Sequence, residues 1–203
     1  MKAVALLSGG LDSVVSMLLA REQADIILAL TIDYGQKARI NEIAASATFC
    51  SIYGIEHKVI RLPFMSEMKS GIIEDSGMED SSPWVPNRNG LFINLAACYA
   101  ENLNADWIIC GFNREEGVDF PDNSMEYIEA VNQGLSYSTL NKVKLKSFVQ
   151  NMDKVEIIQA GSKLKVDFGL LWSCYRPGDK PCGQCPSCIR NQEAYKKAGV
   201  DYD

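Results

Sequence analysis

A six-residue stretch near the N-terminus constrains the fold of this chain more than any other feature. The stretch follows an apolar run at 3–7 and consists of Ser8, Gly9, Gly10, Leu11, Asp12 and Ser13. An apolar pattern typical of a buried helical face comes next, so the segment predicts a strand, a tight glycine turn and a helix. Glycine lets the backbone approach a ligand closely, and the free N–H groups of a first helical turn attract anions. The sequence therefore predicts a phosphate-binding turn, the alternative being an ordinary turn with Asp12 or Ser13 as helix cap.

This turn lacks the lysine of the Walker phosphate loop and does not match the GxGxxG dinucleotide turn. It resembles the SGGxDS pyrophosphate loop of the PP-loop ATP pyrophosphatases. The resemblance implies an α/β fold with an open, doubly wound, mostly parallel sheet of the Rossmann-like, adenine nucleotide alpha hydrolase-like type. It also implies a catalytic role for Asp12 and Ser13. The nucleotide would be bound by Leu7, Ser8, Gly9, Gly10, Leu11, Asp12, Ser13, Val14 and Val15.

Further apolar runs predict a second and a fourth strand. The run at 26–32 is nearly continuous, as in parallel strands covered on both faces, and Asp33-Tyr34-Gly35-Gln36 follows it. The run at 107–110 is followed by Gly111, where the missing side chain allows a close backbone approach to a ligand. We therefore expect the ends of the first two strands to share one ligand crevice, and we expect Gly111 to contact the nucleotide.

Two further polar segments carry candidate binding residues. A long loop-like segment at 63–90 ends in Arg88 and Asn89, directly before a predicted helix. An arginine and an asparagine at a helix start can hold a carboxylate or a planar heterocycle, or they can simply cap the helix and face solvent. The acidic loop at 115–124 includes Asp122; its carboxylates could hold magnesium with ATP phosphates or be ordinary solvated side chains.

Length, charge and cysteine usage limit the class of protein. The 203 residues suit one α/β domain with a small appendage, and a net charge of −6 argues against a broad nucleic-acid surface. The first residues contain an apolar stretch that is too short for a signal peptide or a membrane span, so we expect a cytoplasmic protein. Seven cysteines then belong to a reducing compartment.

Four of the cysteines cluster near the C-terminus with the spacing C-x7-C-x2-C-x2-C. These are Cys174, Cys182, Cys185 and Cys188. Four thiolates so close together predict a closed tetrahedral zinc site that stabilises the local fold, the alternatives being an iron–sulfur cluster or a redox CxxC pair. We expect Cys50, Cys98 and Cys110 to be small core residues, and the single histidine, His57, to be structural.

Taken together, these stretches resemble the 7-cyano-7-deazaguanine synthase family along nearly the whole chain. The matching segments are the loop at 8–13, the stretches at 33–36, 85–89 and 120–123, Asp153-Lys154, and 172–175 leading into the cysteines. The family resemblance implies conversion of 7-carboxy-7-deazaguanine, ATP and ammonia to the nitrile precursor of queuosine and archaeosine.

The same resemblance implies the site residues and partners. Lys154 would be catalytic beside the phosphates, while Arg88, Asn89 and Asp122 would bind the substrate. ATP, Mg²⁺ and a structural Zn²⁺ are the implied cofactors, and a homodimer without stable nucleic-acid or membrane binding is expected. We expect an ATP-binding domain at 1–170 and a zinc knuckle with a C-terminal helix at 171–203, packed on it.

Two other functions fit parts of the sequence. One is a PP-loop enzyme acting on tRNA, such as a thiolase or a lysidine ligase, although such enzymes need a basic docking surface or an added RNA-binding domain. The other is a non-catalytic zinc module that binds a nucleotide without turnover.

Overall fold

A computed structural model describes residues 1–73 and 83–201 of the chain. The strands are β1 (Lys2–Leu6), β2 (Asp25–Asp33), β3 (His57–Arg61), β4 (Trp107–Cys110) and β5 (Lys144–Ser147). The helices are α1 (Leu11–Ala20), α2 (Arg39–Tyr53), α3 (Arg88–Asn102), α4 (Arg114–Asp119), α5 (Met125–Ser138), α6 (Lys154–Lys163) and α7 (Pro186–Ala198). Short 3-10 helices lie at Pro63–Glu67, Pro121–Asn123 and Phe168–Leu170.

The five strands form one sheet in the order β3-β2-β1-β4-β5, and every neighbouring pair is parallel. Successive strands are added on one side of β1 up to β3, and then on the other side from β4. The strand order therefore reverses between β1 and β4, and in open sheets ligands bind outside the strand ends at such a point.

Helices cover both faces of the sheet, as the alternation of side chains along β1 requires. Ala3 and Ala5 belong to a core shared with Met17 of α1 and Phe49 of α2. Val4 points to the opposite face, into a core that includes residues of α3 and α5. The doubly wound arrangement predicted from the apolar runs is confirmed.

The C-terminal segment packs against the rest of the chain. Tyr195 of α7 is buried with Leu11 and Ile157, and its ring meets Phe168 edge-on at 5.3 Å between centroids. Three cysteines of this segment, Cys174, Cys185 and Cys188, are buried against Ala38, which precedes α2, and Ala45, within α2. The segment thus lies close to the N-terminal ends of α1 and α2.

The apolar runs at 3–7, 26–32 and 107–110 correspond to β1, β2 and β4. One helix was missed and one cysteine was misplaced. Helix α4, which Asn113 caps through the N–H of Glu116 at 2.9 Å, was not predicted, because only six residues form it. Cys98 was predicted to be a core residue and this is wrong: it is exposed on α3, whereas Cys50 and Cys110 are buried. The apolar pattern of α3 places Ala96 and Ala97 inward instead.

The loop prediction for 63–90 falls partly at 74–82, outside the described residues. None of the helices in the described ranges has the length and apolar content needed to cross a lipid bilayer.

Candidate active site

A cavity of about 300 Å³ lies at the carboxyl edge of the sheet, beside the point where the strand order reverses. The ends of β1, β2 and β4 line it, together with the first turns of α1, α3 and α6. Most of the site residues predicted from the sequence face this cavity: Leu7, Ser8, Gly10, Asp12, Ser13, Gly111, Arg88, Asn89, Asp122 and Lys154. The remaining four do not line the cavity: Gly9 faces α2, and Leu11, Val14 and Val15 are packed in the core.

The turn at 8–13 is held in shape by its own serines. The hydroxyls of Ser8 and Ser13 lie 3.1 Å apart, and the Ser13 hydroxyl donates to the Gly10 carbonyl at 3.1 Å. From the C-terminal segment, the backbone N–H of Trp172 donates to the Gly9 carbonyl at 2.9 Å. These contacts fix the loop before any ligand arrives. We call residues 8–13 the phosphate loop.

Two glycines are required by close packing around this loop. Gly9 has φ +74°, and a Cβ there would lie 2.7 Å from the Cβ of Ala45 and 2.8 Å from the Glu42 carbonyl oxygen. A Cβ on Gly111 would lie 2.6 Å from the backbone nitrogen of Ser13. Gly111 therefore allows β4 to pack against the start of α1, an additional reason for a glycine there.

Lys154 reaches the phosphate loop from the first residue of α6. Its Nζ lies 2.6 Å from Oδ2 of Asp12 and 3.5 Å from Oε1 of Glu116. The lysine side chain is only 6% exposed. Burial alone would lower its pKa, but the carboxylates of Asp12 and Glu116 outweigh burial and raise the pKa of Lys154 to about 12. The side chain is therefore a fixed positive charge and not a base.

The start of α6 is well defined, which fixes where Lys154 points. Asp153 and Glu156 form a reciprocal capping box with the backbone N–H groups at 2.9 Å. Arg114 of α4 bonds both carboxylates, at 2.9 Å and 3.0 Å.

One oxygen of Asp12 remains available. Its Oδ2 binds Lys154, whereas its buried Oδ1 has no hydrogen-bond partner among the described residues. A buried carboxylate oxygen without a donor is costly unless a ligand completes it. The Asp12 and Glu116 carboxylates beside a phosphate-binding turn suit the oxygen ligands that Mg²⁺ prefers.

Arg88 lies on another side of the cavity, at the first residue of α3. Its Nη1 donates to the Tyr34 hydroxyl at 3.4 Å, and the guanidinium lies over the Tyr34 ring at 5.9 Å from the centroid. Asn87, just before it, is held in a left-handed conformation with φ +51°. Burial acts to lower the pKa of Arg88, but interactions with Tyr34, Asp122 and Glu42 outweigh burial, so the pKa is raised above its usual value. Arg88 is thus a permanent cation facing the cavity.

Asp122 and Asn89 lie next to Arg88. The Asn89 amide donates to the Asp122 carbonyl at 3.3 Å, and the Asn123 amide donates to the Asp122 carboxylate at 3.0 Å. Burial raises the pKa of Asp122, and the charge of Arg88 opposes that rise. Nearby, the rings of Trp84 and Phe120 are nearly parallel, at 14°, with centroids 6.3 Å apart. This part of the cavity combines a cation, a carboxylate and flat aromatic surfaces.

The four predicted metal ligands also meet. All four sulfurs of Cys174, Cys182, Cys185 and Cys188 lie within 4.8 Å of one another. The Cys174–Cys185 and Cys182–Cys188 sulfur pairs are both 3.9 Å apart. Zinc–sulfur bonds of about 2.3 Å in a tetrahedron place sulfurs about 3.8 Å apart. The donor set therefore fits a single tetrahedral ion better than an iron–sulfur cube, in which each thiolate binds a different iron.

One thiol of this cluster is predisposed to ionise. Burial acts to raise the pKa of Cys182, but the N–H groups of Gln184 and Cys185 outweigh it and lower that pKa to about 7. Backbone N–H groups also reach the Cys174 sulfur, at 3.3 Å from Arg176 and 3.4 Å from Cys182. Such donors support thiolate ligands around a bound metal.

Sequence reasoning missed several residues that line the cavity. The Ser173 hydroxyl accepts a hydrogen bond from the Leu11 backbone N–H at 3.3 Å, and Nη1 of Arg190 lies 3.8 Å from Oε1 of Glu116. Both come from the C-terminal segment, whose return to the phosphate loop no local pattern shows. Glu42, from the first turn of α2, was also missed. His57, expected to be structural, does not line this cavity; its Nε2 lies 2.8 Å from the hydroxyl of Thr31, between β2 and β3.

A protein-family model described as "Queuosine biosynthesis protein QueC" matches residues 2–199. Among curated proteins, the 7-cyano-7-deazaguanine synthase of Desulforudis audaxviator is 46% identical over 216 aligned residues, covering 98% of each chain. The 7-cyano-7-deazaguanine synthase of Carboxydothermus hydrogenoformans is 47% identical over 209 residues, covering 95% of this chain and 97% of that one.

A solved structure confirms the fold at a greater distance. The U34-tRNA thiolase NcsA from Methanococcus maripaludis, solved with its [4Fe-4S] cluster, superposes with a TM-score of 0.55 at 18% identity. The match covers 98% of this chain and 65% of the thiolase chain. At this identity the likeness supports the fold alone.

Proposed function

The chain belongs to the QueC family of 7-cyano-7-deazaguanine synthases, and on that basis we propose that it converts 7-carboxy-7-deazaguanine, ATP and ammonia to 7-cyano-7-deazaguanine. The observation that best supports the proposal is that two separate groups of charged residues line one cavity; we call them its two ends. Lys154 with Asp12 and Glu116 forms the phosphate end, and Arg88 with Tyr34 and Asp122 forms the other. The first end suits a nucleotide and the second a planar acid.

The phosphate loop holds the ATP phosphates in this proposal. The serine hydroxyls and the free N–H groups at the start of α1 supply donors, and Gly10 leaves room for the phosphates. Lys154 remains protonated and neutralises charge that develops on the phosphates in the transition state. Asp12 keeps the ammonium group of Lys154 in place through the 2.6 Å ion pair.

Magnesium fits the same end. Asp12, through its unpartnered Oδ1, and Glu116 would hold Mg²⁺, which would neutralise phosphate charge when bound with ATP.

At the other end, Arg88 binds the substrate carboxylate through paired N–H donors. Asp122 faces the N–H-rich edge of the guanine-like ring, since a carboxylate accepts such donors, and Asn89 supports the Asp122 backbone. The rings of Trp84 and Phe120 provide flat surfaces for the bicycle.

The chemistry explains why both ends must share one cavity. A carboxylate is a poor electrophile, so ATP first activates it as an acyl adenylate or an acyl phosphate. Ammonia then gives the amide, and a second activation of the amide oxygen permits dehydration to the nitrile. Each activation needs the substrate oxygen beside a phosphate of ATP, which the shared cavity provides.

The four cysteines bind structural zinc in this proposal. Four protein ligands leave no open position for catalysis. The metal would hold the segment at 174–188 together, directly after Trp172, whose backbone contacts Gly9 of the phosphate loop. We propose an ATP-binding unit at 1–170 with the knuckle and α7 at 171–203 packed on it. A homodimer in the cytoplasm, without stable nucleic-acid binding, completes the proposal.

The test is mass spectrometry of the purified protein incubated with ATP, Mg²⁺, ammonium and 7-carboxy-7-deazaguanine. We expect the nitrile and a nucleotide product that identifies which phosphate bond is broken. Folded, zinc-replete protein that forms neither nitrile nor amide and consumes no ATP would overturn the proposal.

The tRNA-directed alternative is not favoured. The relatives that are 46% and 47% identical are synthases, whereas the thiolase is 18% identical and shares the fold. The net charge of −6 also gives no general attraction for tRNA.

A further inference from the structure

Glu42 is an acidic side chain in the cavity to which the proposed reaction so far gives no role. It lies in the first turn of α2, and its backbone carbonyl packs directly behind Gly9 of the phosphate loop. Its carboxylate lines the same cavity as Ser8, Gly10 and Arg88. Glu42 therefore contacts the phosphate loop through its backbone, while its carboxylate lies close enough to Arg88 to interact with that charge.

A buried amide fixes the Glu42 carboxylate. Gln36, only 2% exposed, donates its Nε2 to Oε2 of Glu42 at 2.8 Å and to the Ile32 carbonyl at 3.0 Å. The Gln36 Oε1 accepts from the Tyr34 N–H at 2.9 Å. Because two backbone groups, the Ile32 carbonyl and the Tyr34 N–H, hold the Gln36 amide, the carboxylate that it binds has a defined position at the end of β2.

The charges around Glu42 are those of the substrate end. Burial has the largest effect and raises the pKa of Glu42. The hydrogen bond from Gln36 and the charge of Arg88, from α3, lower that pKa, and the charge of Asp33, at the end of β2, raises it. The guanidinium of Arg88 donates to the Tyr34 hydroxyl. Once Arg88 binds an anionic substrate, the substrate neutralises part of the arginine charge. The Glu42 carboxylate is then less well neutralised by Arg88 and can attract another small cation.

We propose that the Glu42 carboxylate binds ammonium in this cavity and takes one proton from it. The inference rests on the proposed function, because it assigns the nitrogen site of that reaction. Ammonium is the dominant form of the nitrogen source at neutral pH, and it is not a nucleophile until it loses a proton. Burial raises the pKa of Glu42 to about 7, which brings it closer to that of ammonium than an exposed carboxylate would be.

The step balances as follows. Ammonium transfers one proton to Glu42 and becomes ammonia, whose lone pair forms the C–N bond to the activated acyl carbon. The C–O bond to the nucleotide phosphate breaks, and the phosphate leaves with the electron pair. The nitrogen then loses a second proton to water, leaving the neutral amide, and Glu42 returns its own proton to solvent.

The experiment compares Glu42→Gln with the parent enzyme using two nitrogen nucleophiles. Glutamine keeps an oxygen for the Gln36 amide but cannot accept a proton. We expect kcat/KM for ammonium to fall about 100-fold, the low end of what a general base contributes. The KM values for ATP and the acid should stay within about threefold. Hydroxylamine, which is largely neutral at the same pH, should form the hydroxamate at nearly the parental rate.

Glu129→Gln on the exposed face of α5 is the matched control, and its kinetics should equal those of the parent. Glu42→Asp, which retains the carboxylate, should recover part of the ammonium activity. Equal losses with ammonium and hydroxylamine would mean that Glu42 only shapes the loop, and would overturn the inference, as would an unchanged kcat/KM for ammonium. In both cases the parent still makes the nitrile. A parent that makes none overturns the proposed function instead, and the inference with it.

Discussion

The Nζ of Lys154 lies 2.6 Å from Oδ2 of Asp12, although 142 residues separate them in the sequence. The pair joins the N-terminal ends of α1 and α6, and Glu116 adds a second carboxylate at 3.5 Å. Helix N-termini carry partial positive charge, so the lysine adds to a field that attracts phosphate from two directions. The same pair is largely withdrawn from water, so it affects stability as well as turnover.

Lys154→Met should lower kcat at least about 100-fold, the loss typical of a removed electrostatic donor. It should also lower the free energy of unfolding by about 3 kcal/mol, because Asp12 is left buried without its partner. Steady-state kinetics and urea unfolding measure the two effects. Turnover within about threefold of the parent would remove Lys154 from the catalytic residues.

The double variant Asp12→Asn with Lys154→Met separates the two effects. It removes both charges, so we expect it to regain much of the lost stability while remaining inactive. Recovery of turnover together with stability would show that Lys154 acts through folding alone.

Arg88→Ala should raise the KM for the deazapurine acid by about 30-fold, equivalent to about 2 kcal/mol for a lost charge-assisted hydrogen bond. The KM for ATP should change by less than about threefold, since Arg88 lies at the other end of the cavity. Arg61→Ala is the control, because its side chain is 84% exposed and lies 3.8 Å from Asp33. An unchanged KM for the acid in Arg88→Ala would place the substrate carboxylate elsewhere.

The sequence predicted the parts of this molecule that local chemistry determines. The phosphate loop, the strands β1, β2 and β4, and the cysteine cluster each follow from residues that are neighbours in the chain. A serine before a helix is another such signal: Ser124 precedes the helix that starts at Met125, and its hydroxyl accepts the Tyr127 N–H at 3.1 Å. Such signals need no knowledge of the tertiary fold.

Contacts between distant segments were beyond local patterns. Glu42 reads as an ordinary first-turn acid of an amphipathic helix, and only the folded chain shows it beside Gln36 and behind Gly9. Arg190 reaches the cavity from α7, which packs on α6. Ser173 reaches it because the neighbouring Trp172 backbone bonds the Gly9 carbonyl. Cys98 was misplaced for a different reason: alanines provide much of the buried face of α3, so the local apolar pattern is weak.

The metal should be zinc at one atom per chain. Purified protein should be colourless, and elemental analysis should find zinc without iron, since 3.9 Å between sulfur atoms suits one tetrahedral ion. Cys185→Ser should reduce the zinc content and destabilise the C-terminal segment. Cys98→Ser, which removes an exposed thiol, should change neither. Broad absorption near the visible range with stoichiometric iron would show a cluster instead.

Glu42→Gln should stabilise the protein at pH 8 and have a smaller effect at pH 5. The pKa of Glu42 is raised from 4.5 to about 7 in the fold, so the folded chain holds a proton that the unfolded chain has lost between these values. The parent therefore loses stability as the pH rises from about 4.5 to 7, whereas glutamine has no charge to bury. We expect a gain of about 1–2 kcal/mol at pH 8, discounted because the side chain partly faces the cavity. Urea unfolding of both proteins at the two pH values measures it. Equal gains at both pH values would show that the carboxylate is well solvated.

Two glycine-to-alanine variants test how closely α2 approaches the phosphate loop. At Gly9, φ is +74° and a Cβ would lie 2.7 Å from the Ala45 Cβ, so strain and overlap should together destabilise the fold by about 3 kcal/mol. Gly134 lies within α5, where a Cβ meets nothing within 4 Å. Gly134→Ala should therefore stabilise the protein by about 0.5–1 kcal/mol through its higher helix propensity. Thermal and urea unfolding compare the two with the parent. If Gly9→Ala were tolerated as well as Gly134→Ala, the loop would not be packed against α2, and the position assigned to Glu42 behind it would have to be abandoned.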